Sequence, residues 1–270
     1  MTISLSAINI YPVKALGGIA LAQALVTPRG LQNDRRFMVV DANDTFLTQR
    51  EYPKMAAVWV ELAGGEITFS AADVDSVSLP AIPEELPTRE LRVWASVVRA
   101  HRVSAEADRW LSDYLGADVR LVYMPDSAER RVNPAYAKNG GIVSFADGYP
   151  LLIASEESLA DLNARIVGNG GQALPMNRFR PNLVIGGCEP YAEDKLGDIV
   201  IGEAMFRAVK PCVRCQVTTT VQAEGVVRGP EPLQTLATYR DSANGVMFGM
   251  NLIPLKLATV RVGDVVSYLT

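Results

Sequence analysis

Strand-forming residues fill much of the first hundred positions of the chain, with apolar residues at alternating positions in 58–62 and 67–69. A period of two is typical of strands with one buried face, and two such runs around a short turn predict a hairpin. The Asp-, Ser- and Pro-rich segment 73–88 lacks this pattern and predicts an exposed loop. The runs that predict strands here are 3–13, 36–40, 45–48, 58–62, 67–69 and 91–103.

Helical spacing of apolar residues is confined to a few segments. Ser104 precedes one apolar stripe, which ends at Gly116, and Ser155 precedes a second one whose first turn is acidic. A serine before such a stripe is a typical N-cap, and acidic side chains in the first turn interact favourably with the helix dipole. Residues 232–240 predict a third, shorter helix. Further strands are predicted at 183–185, 199–201, 206–209, 216–221 and 255–268.

The order of these elements predicts the fold class. The strands come in adjacent runs and do not alternate with helices, which argues against a doubly wound α/β sheet. We therefore expect a mainly β protein with a few helices, built from closed or partly closed β-barrels. A polar run at 125–131 interrupts the pattern and predicts a first domain of residues 1–125 and a second of residues 126–270. A length of 270 residues suits two domains of modest size.

The composition of the chain excludes several classes of protein. It contains 26 basic and 30 acidic residues without a basic run, so we expect no nucleic-acid partner. Three cysteines are an odd number at low density, which indicates a reducing compartment. The first ten residues lack the layout of a signal peptide, and no apolar run reaches about 18 residues. We therefore expect a soluble, cytoplasmic protein without a membrane partner.

The sharpest local motif is Lys210-Pro211-Cys212-Val213-Arg214-Cys215. A zinc site would need two further ligands, for which only Cys188 and His101 are available. A thioredoxin-like dithiol would stand at the start of a helix, but a strand is predicted after Cys215. A cysteine–histidine nucleophile pair would depend on His101, which lies in an ordinary predicted strand. Two small core residues are the fourth interpretation.

Cations beside these cysteines favour a ligand site. Lys210 and Arg214 stabilise the thiolate, which is the form that binds soft or borderline metals. A single thiolate holds a metal weakly, so a cofactor would have to bring most of the metal's ligands. A second cluster at 177–182 places guanidinium and amide groups beside a strand, where they suit a phosphate and a heterocycle. The alternative, for this cluster and for the cations in 11–14 and 34–37, is a solvated surface role.

Taken in order, these segments resemble the MOSC family. Y-P-V-K at 11–14 and D-R-R-F-M-V-V-D at 34–41 resemble its N-terminal β-barrel domain. The resemblance covers nearly the whole chain, and its nearest type is the mitochondrial amidoxime-reducing component and its bacterial relatives. The resemblance to the MOSC domain itself lies in N-R-F-R-P-N-L-V-I-G-G-C at 177–188, Y-A-E-D at 191–194, K-P-C-V-R-C-Q-V-T-T-T at 210–220 and P-L-Q-T-L-A-T-Y-R at 232–240.

The resemblance implies a molybdenum cofactor (Mo-molybdopterin), a phosphate-bearing pterin whose dithiolene holds the metal. It also implies that Cys215 is the molybdenum ligand and the catalytic residue, and we expect the cofactor at the junction of the two domains. Ala15 and the pair Gly148-Tyr149 differ from the hydroxyl residues of relatives, so we expect pterin contacts and substrate access to differ there. The residues implied to hold the cofactor are Lys14, Arg35, Asp147, Ser155, Arg180 and Asn182.

The implied activity is the reduction of N-hydroxylated compounds such as amidoximes, hydroxylamines or N-hydroxylated bases. The three cysteines cannot form a [2Fe–2S] centre while one of them ligates molybdenum, so electrons would come from a separate reductase or redox protein. The alternative is a non-catalytic carrier of the molybdenum cofactor or of sulfur, because MOSC domains also occur in cofactor sulfurases. Against this alternative, the chain lacks the large pyridoxal-phosphate domain of such sulfurases.

Overall fold

Strands are the main element of the structure, a computed structural model that describes residues 2–84, 86–137 and 140–269. In chain order the strands are β1 (Ser4–Ile10), β2 (Ile19–Leu21), β3 (Gln23–Thr27), β4 (Gly30–Leu31), β5 (Phe37–Asp41), β6 (Trp59–Ala63), β7 (Glu66–Ala71), β8 (Val74–Pro80), β9 (Arg89–Val93), β10 (Ser96–Arg102), β11 (Val119–Tyr123), β12 (Leu151–Ser155), β13 (Leu183–Gly186), β14 (Asp198–Ile201), β15 (Ala204–Val213), β16 (Thr220–Val221), β17 (Val226–Val227), β18 (Met247–Lys256), β19 (Thr259–Arg261) and β20 (Val266–Tyr268).

Helices connect the strands at a few points. Ser104 caps the helix α1 (Ala105–Leu115) by accepting hydrogen bonds from two backbone amides of its first turn, and Gly116 ends this helix in the left-handed conformation, as the sequence predicts. Within the residues described, no helix is long and apolar enough to cross a membrane. The α-helices are α1 (Ala105–Leu115), α2 (Glu156–Gly168) and α3 (Leu233–Ala237), and 3₁₀ helices cover Pro53–Ala57, Met176–Arg178, Ala192–Lys195 and Gln216–Thr219.

The largest sheet closes on itself. Its eight strands are hydrogen-bonded in the order β2-β1-β13-β12-β18-β15-β14-β20, with β12 and β13 parallel. The amide of Leu5 donates to the carbonyl of Asp264 at 2.8 Å, and the amide of Val266 donates to the carbonyl of Ile3 at 2.9 Å. These bonds join β1 to the segment that leads into β20, so the sheet forms a closed barrel.

Both ends of the chain contribute to this barrel. β1 pairs with β2 on one side and with β13 on the other, and β3 pairs with β19. The barrel interior is apolar and includes Leu5 and Ile8 of β1 together with Leu183, Phe206 and Leu252. β1 and β3 therefore pack with the C-terminal half of the chain, while the domain boundary near residue 125 stays a prediction.

A smaller barrel lies in the first half of the chain. Its sheet has the order β5-β11-β10-β9. Phe46 forms an isolated β-bridge with Val40 of β5, and its neighbour Thr45 forms one with Arg92 of β9. This short segment therefore connects the two edge strands. The mainly β, two-barrel fold class expected from the sequence is thereby confirmed.

The β5 strand has two buried faces. Met38 and Val40 pack into the small barrel, whereas Phe37 and Val39 pack against α1 and the sheet of β6, β7 and β8. Residues on a strand alternate between faces, so a continuous apolar run such as 37–40 indicates burial on both sides.

Segment 73–88 was expected to be a loop, and this prediction is wrong for residues 74–80. These residues form β8, which pairs with β7 along most of its length. Val77 and Leu79 alternate with exposed polar residues and are 5% and 4% exposed. The many Asp, Ser and Pro residues hid this alternation, because they occupy its solvent-facing positions.

The strand predicted at 216–221 is also wrong over its first four residues, which form a 3₁₀ helix. The hydroxyl of Thr218 donates to the carbonyl of Cys215 at 2.9 Å, and that of Thr219 donates to the carbonyl of Gln216 at 2.8 Å. Side-chain hydrogen bonds to nearby carbonyls let threonine leave a strand despite its β preference. Cys215 therefore lies between the end of β15 and this 3₁₀ helix, beside the site described next.

Candidate functional site

A cavity lies where residues from both barrels meet, beside the start of β12 and the end of β15. It encloses about 940 Å³, including space open to solvent. Its lining combines loops of the first half of the chain with segments 146–152, 179–182 and 212–217 of the second half. Six of the seven site residues predicted from the sequence line it: Lys14, Arg35, Asp147, Arg180, Asn182 and Cys215.

The cavity is cationic, although the whole chain carries a net charge of -4. Clustered cations in a partly enclosed space attract anions, and guanidinium groups suit phosphate in particular. The arrangement therefore favours an anionic ligand. The charged residues that line the cavity are Lys14, Arg35, Arg50, Arg180 and Arg214 together with Asp147.

Lys14 and Arg35 reach one wall of the cavity because their segments run side by side. The amide of Arg35 donates to the carbonyl of Tyr11 at 2.8 Å, and the amide of Lys14 donates to the carbonyl of Phe37 at 2.8 Å. Segments 11–14 and 34–37, about twenty residues apart in sequence, are thus paired by backbone hydrogen bonds. Lys14 and Arg35 therefore line the same cavity.

Lys14 and Asp147 form an ion pair at 2.5 Å, and the Lys14 ammonium also donates to the carbonyl of Phe145 at 3.0 Å. Burial lowers the pKa of Lys14, and the carboxylate of Asp147 opposes this effect. Partial desolvation inside the cavity would raise the pKa of Asp147, but the charge and hydrogen bond of Lys14 hold it well below its usual range. The Asp147 side chain is 73% exposed because it borders the cavity. It therefore adds a fixed negative charge to an otherwise cationic wall.

Arg35 and Arg180 share the ring of Tyr11 as a platform. Their guanidinium carbons lie 4.5 and 4.1 Å from the ring centroid, which is within cation–π range. The Tyr11 hydroxyl donates to the carbonyl of Pro181 at 3.2 Å. A Cβ at Gly18 would lie 2.5 Å from the ring, so glycine at this position leaves room for it. The tyrosine thereby holds two like charges close together.

Arg35 and Arg180 differ in how their charges are compensated. Arg35 donates to the carboxylate of Asp34 at 2.6 Å, which outweighs burial and raises the pKa of Arg35. Arg180 donates to the amide oxygen of Gln222 at 3.1 Å, and the described residues give it no carboxylate partner. Burial and, to a lesser degree, the charge of Arg35 lower the pKa of Arg180 to about 10. A bound anion would therefore compensate the charge of Arg180 more than that of Arg35.

Asn182 is almost fully engaged by the protein. Its side-chain oxygen accepts from the amide of Leu152 at 3.2 Å and from Arg35 at 3.0 Å, and its nitrogen donates to the carbonyl of Asn9 at 3.1 Å. The residue is 1% exposed. In this arrangement Asn182 orients Arg35 within the cavity wall.

The two cysteines of the Cys212–Cys215 motif both line the cavity but have different surroundings. Cys215 is exposed, and Cys212 is half-buried and accepts a hydrogen bond from Arg214 at 3.0 Å. Arg214 also donates to the carbonyl of Phe179 at 2.7 Å, which ties the end of β15 to the segment that carries Arg180. The adjacent cation thus contacts Cys212, while the thiol of Cys215 stays accessible.

The other ligand candidates do not line the cavity. His101 is 1% exposed in β10 and packs against the ring of Tyr123. Cys188 donates to Glu157 at 3.3 Å, and burial raises the pKa of its thiol to about 12. Among the residues that the structure describes, no group of three or more His, Cys, Asp or Glu side chains could hold a metal ion. The zinc-site interpretation thus has no ligand set there.

Four residues of the lining have a left-handed backbone, which is unusual for side chains other than glycine. They carry φ values of 71° at Ala15, 49° at Arg35, 55° at Trp94 and 55° at Arg180. Each such residue costs about 1–3 kcal/mol, and such conformations cluster at functional sites. Their concentration in one cavity supports a binding role for it.

Ser155 is the predicted site residue that does not line the cavity. It is fully buried, caps α2 by accepting from the amide of Ser158 at 3.1 Å, and donates to Glu193 at 2.9 Å. Burial raises the pKa of Glu193, and hydrogen bonds from Ser158 and Ser155 oppose this rise by stabilising the carboxylate. The helix-cap prediction for Ser155 is confirmed, and its hydroxyl is committed to this cluster.

Ser155→Ala is expected to lower the free energy of unfolding by about 2 kcal/mol, because a cap is lost and buried Glu193 loses a donor. Ser104→Ala, which removes only the cap of α1, should cost about 1 kcal/mol. Urea unfolding measures both values. If Ser155→Ala instead left stability unchanged and reduced ligand binding in the cavity, the structural role would be contradicted.

Several lining residues escaped the sequence analysis. Trp94 stands in a two-residue turn between β9 and β10, and its indole N–H donates to Asp147 at 3.2 Å. Gln49 also lines the cavity, and it bonds reciprocally with Gln222 outside the lining, with Gln222 donating to Gln49 at 2.9 Å across the two halves of the chain. The strand predicted at 91–103 is wrong at this turn, because no Gly, Pro, Asn or Asp marks it in the sequence. The glutamine pair depends on a contact over 173 residues of sequence.

Family models match both halves of the chain. The MOSC N-terminal beta barrel domain matches residues 2–118, and the MOSC domain matches residues 140–267. The chain is 32% identical over 93% of its length to "Molybdenum cofactor sulfurase" of Oryza sativa subsp. japonica, but it covers only 32% of that protein.

Other relatives match along most of their own length. "Mitochondrial amidoxime reducing component 2" of Macaca fascicularis is 31% identical over 94% of this chain and 80% of the relative. "Mitochondrial amidoxime-reducing component 1" of Homo sapiens is 30% identical over 96% of this chain and 81% of the relative. The chain therefore belongs to the MOSC family, in the group that includes the mitochondrial amidoxime-reducing components.

Proposed function

We propose that this protein binds the molybdenum cofactor in the cavity and reduces N-hydroxylated compounds there. The observation that supports this most directly is the exposed thiol of Cys215 in a cavity lined by five cationic side chains. A thiolate is a soft ligand that suits molybdenum, and the cations suit a pterin phosphate. The names of the relatives support the class of reaction.

The chemistry of the cavity fits this cofactor. The only thiols in the lining are those of Cys212 and Cys215, and a cofactor that brings its own dithiolene needs one of them. Cys215 would be the metal ligand, because its thiol is the accessible one. Arg180, Arg35 and Lys14 would hold the pterin and its phosphate.

The remaining lining residues would have supporting roles. Asn182 would orient Arg35, and Asp147 would keep the Lys14 ammonium in place. Ser155, committed to the cap of α2, is not part of the proposed cofactor set. Tyr149 adds a phenol whose pKa burial raises to about 12, so it stays protonated at neutral pH and can donate a hydrogen bond.

The proposed reaction takes up two electrons and two protons for each N–O bond that breaks, and it yields the reduced nitrogen compound and water. When bound, the cofactor would supply the redox chemistry. The chain would supply the cationic wall that retains it and the Cys215 thiolate that fixes the metal. A separate redox protein or reductase would supply the electrons, and a cytoplasmic location stays a prediction.

Protein made in a host that synthesises the cofactor is expected to contain near-stoichiometric molybdenum and to release a fluorescent pterin on oxidation. It should reduce benzamidoxime with a chemical electron donor, and it should not do so with NADH or NADPH alone. Metal analysis and steady-state assays measure these outcomes, with protein from a host that lacks the cofactor as the control. Well-folded protein from the competent host with neither molybdenum nor pterin would contradict the proposal.

The match to a molybdenum cofactor sulfurase favours a second candidate, a carrier of the cofactor or of persulfide sulfur. The exposed Cys215 could hold sulfur as readily as it could ligate a metal. The two candidates differ in turnover: a carrier would bind the cofactor or sulfur stoichiometrically and would not reduce benzamidoxime repeatedly. Multiple turnovers per protein molecule would exclude a pure carrier.

A further inference from the structure

Trp94 exposes an indole ring in the cavity from a backbone position that large side chains rarely occupy. Val93 of β9 pairs with Ser96 of β10, so Trp94 is the first residue of a two-residue turn. Its φ of 55° is a value that favours glycine at this position. The residue nevertheless lines the cavity and is 44% exposed. Local turn chemistry does not explain a tryptophan here.

Neighbouring residues hold this indole in one orientation. Its N–H donates to Asp147 at 3.2 Å. The ring of Phe46 contacts it edge-on, with ring centroids 4.9 Å apart and planes at 67°. The guanidinium carbon of Arg50 lies 5.3 Å from its centroid. The ring is thus fixed before any ligand binds, so a ligand that stacks on it would lose little entropy by ordering it.

A fixed, exposed aromatic face suits flat, π-rich ligands. Aromatic rings stack on such faces with little dependence on the ligand's hydrogen-bonding pattern. Tyr149 adds a second aromatic residue to the same lining, and it contacts Tyr136 edge-on at 6.0 Å. The carboxylate that receives the indole hydrogen bond, Asp147, is tied to Lys14 of the proposed cofactor wall. Trp94 therefore lies beside the wall proposed to hold the cofactor, in the same cavity lining as Cys215.

We propose that Trp94 determines substrate specificity by stacking on the aromatic part of flat N-hydroxylated compounds. Aromatic amidoximes and N-hydroxylated heteroaromatic bases would then be preferred over aliphatic amidoximes. This inference rests on the proposed function for its reaction, but stacking itself can be measured without turnover.

The test compares benzamidoxime with acetamidoxime, which carry the same reacting group and differ in the ring. The holoenzyme with Trp94→Leu is expected to show a KM for benzamidoxime raised about tenfold, with kcat little changed, because stacking contributes to binding. The KM for acetamidoxime should change less than twofold. The expected loss is therefore about tenfold in the ratio of the two kcat/KM values.

Two further variants separate stacking from other roles of the indole. Trp94→Phe keeps an aromatic face and loses the hydrogen bond to Asp147, so it should retain most of the preference for benzamidoxime. Trp59→Leu is the matched control, because Trp59 lies in β6, is 61% exposed and does not line the cavity. It should leave both substrates unaffected. Quenching of tryptophan fluorescence by benzamidoxime should disappear in Trp94→Leu and persist in Trp59→Leu.

Three results would overturn the inference. An unchanged substrate ratio in Trp94→Leu would exclude stacking, and a Trp94→Phe variant as impaired as Trp94→Leu would assign the effect to the hydrogen bond. Loss of molybdenum from Trp94→Leu would show that the indole covers the cofactor and not the substrate. Failure of the proposed function looks different: wild-type protein would reduce neither amidoxime, while Trp94-dependent quenching by benzamidoxime would still report stacking.

Discussion

Cys215→Ala is expected to abolish molybdenum-dependent reduction of benzamidoxime while the protein stays folded. The Cys215 thiol is exposed in the cavity, so its removal leaves no hole in the barrel core. Loss of the protein's ligand to the metal should remove the activity entirely and change the electron paramagnetic signal of any molybdenum that is still bound. Steady-state assays, metal analysis and circular dichroism of the same preparation measure the three properties.

Cys212→Ala and Cys188→Ala are the matched controls, since each also replaces a thiol by a hydrogen. Cys212→Ala removes the acceptor of one hydrogen bond from Arg214, but Arg214 keeps its hydrogen bond to the carbonyl of Phe179. We therefore expect a rate within tenfold of wild type. Cys188→Ala should act as wild type, because its thiol contacts Glu157 away from the lining. The reverse pattern, with Cys212 essential and Cys215 dispensable, would move the ligand assignment to Cys212.

Arg180→Met is expected to weaken retention of the cofactor by at least tenfold without destabilising the fold. A charge-assisted hydrogen bond to phosphate contributes about 1.5–3 kcal/mol, which corresponds to about ten- to a hundredfold in affinity. Without a ligand, however, Arg180 is a partly buried cation beside Arg35, and desolvation lowers its pKa to about 10. Removing such a charge should leave the free energy of unfolding unchanged or raise it.

Arg207→Met is the control for this prediction. Arg207 lies in β15 and forms an exposed ion pair with Asp198, outside the cavity lining. Its loss should change neither cofactor content nor stability by much, since exposed ion pairs contribute about 0–1 kcal/mol. Pterin content after gel filtration and urea unfolding report the two effects. An Arg180→Met protein that unfolds more easily but retains its pterin would show that Arg180 is structural.

The caps of the helices show which parts of the fold were accessible from sequence. Ser104 and Ser155 each precede an apolar stripe and each caps a helix, because capping depends on residues within one turn of each other. Burial of the run 37–40 on both faces likewise follows from its unbroken apolar character. The loop predicted at 74–80 is a strand, because pairing with β7 outweighs its polar composition. The strand predicted at 216–219 is a 3₁₀ helix, because threonine hydroxyls bond to nearby carbonyls.

For the site, the cations and thiols stood out as residue types, and the resemblance to the MOSC family implied the set of Lys14, Arg35, Asp147, Arg180 and Cys215, which one cavity brings together. The chemistry of cations and thiols belongs to the side chains themselves, so the sequence alone indicates it. What each side chain touches depends on contacts between distant segments. Arg214 donates a hydrogen bond to Cys212, and a second one to the carbonyl of Phe179, 35 residues away. Only the tertiary structure shows this second, long-range contact.

The same reason separates Ser155 from Trp94. The residue pattern predicted a helix cap at Ser155, and the family resemblance implied a cofactor contact. In the structure its hydroxyl caps α2 and donates to the buried carboxyl group of Glu193, 38 residues away. Trp94 lay inside the strand predicted at 91–103, but in the structure it stands in the turn between β9 and β10. Its indole lines the cavity and donates to Asp147, 53 residues later. Local hydrogen bonds and apolar periodicity determined the elements and the class of fold. Long-range packing decided which polar groups remain accessible to a ligand, because a side chain already engaged by the protein cannot also bind one.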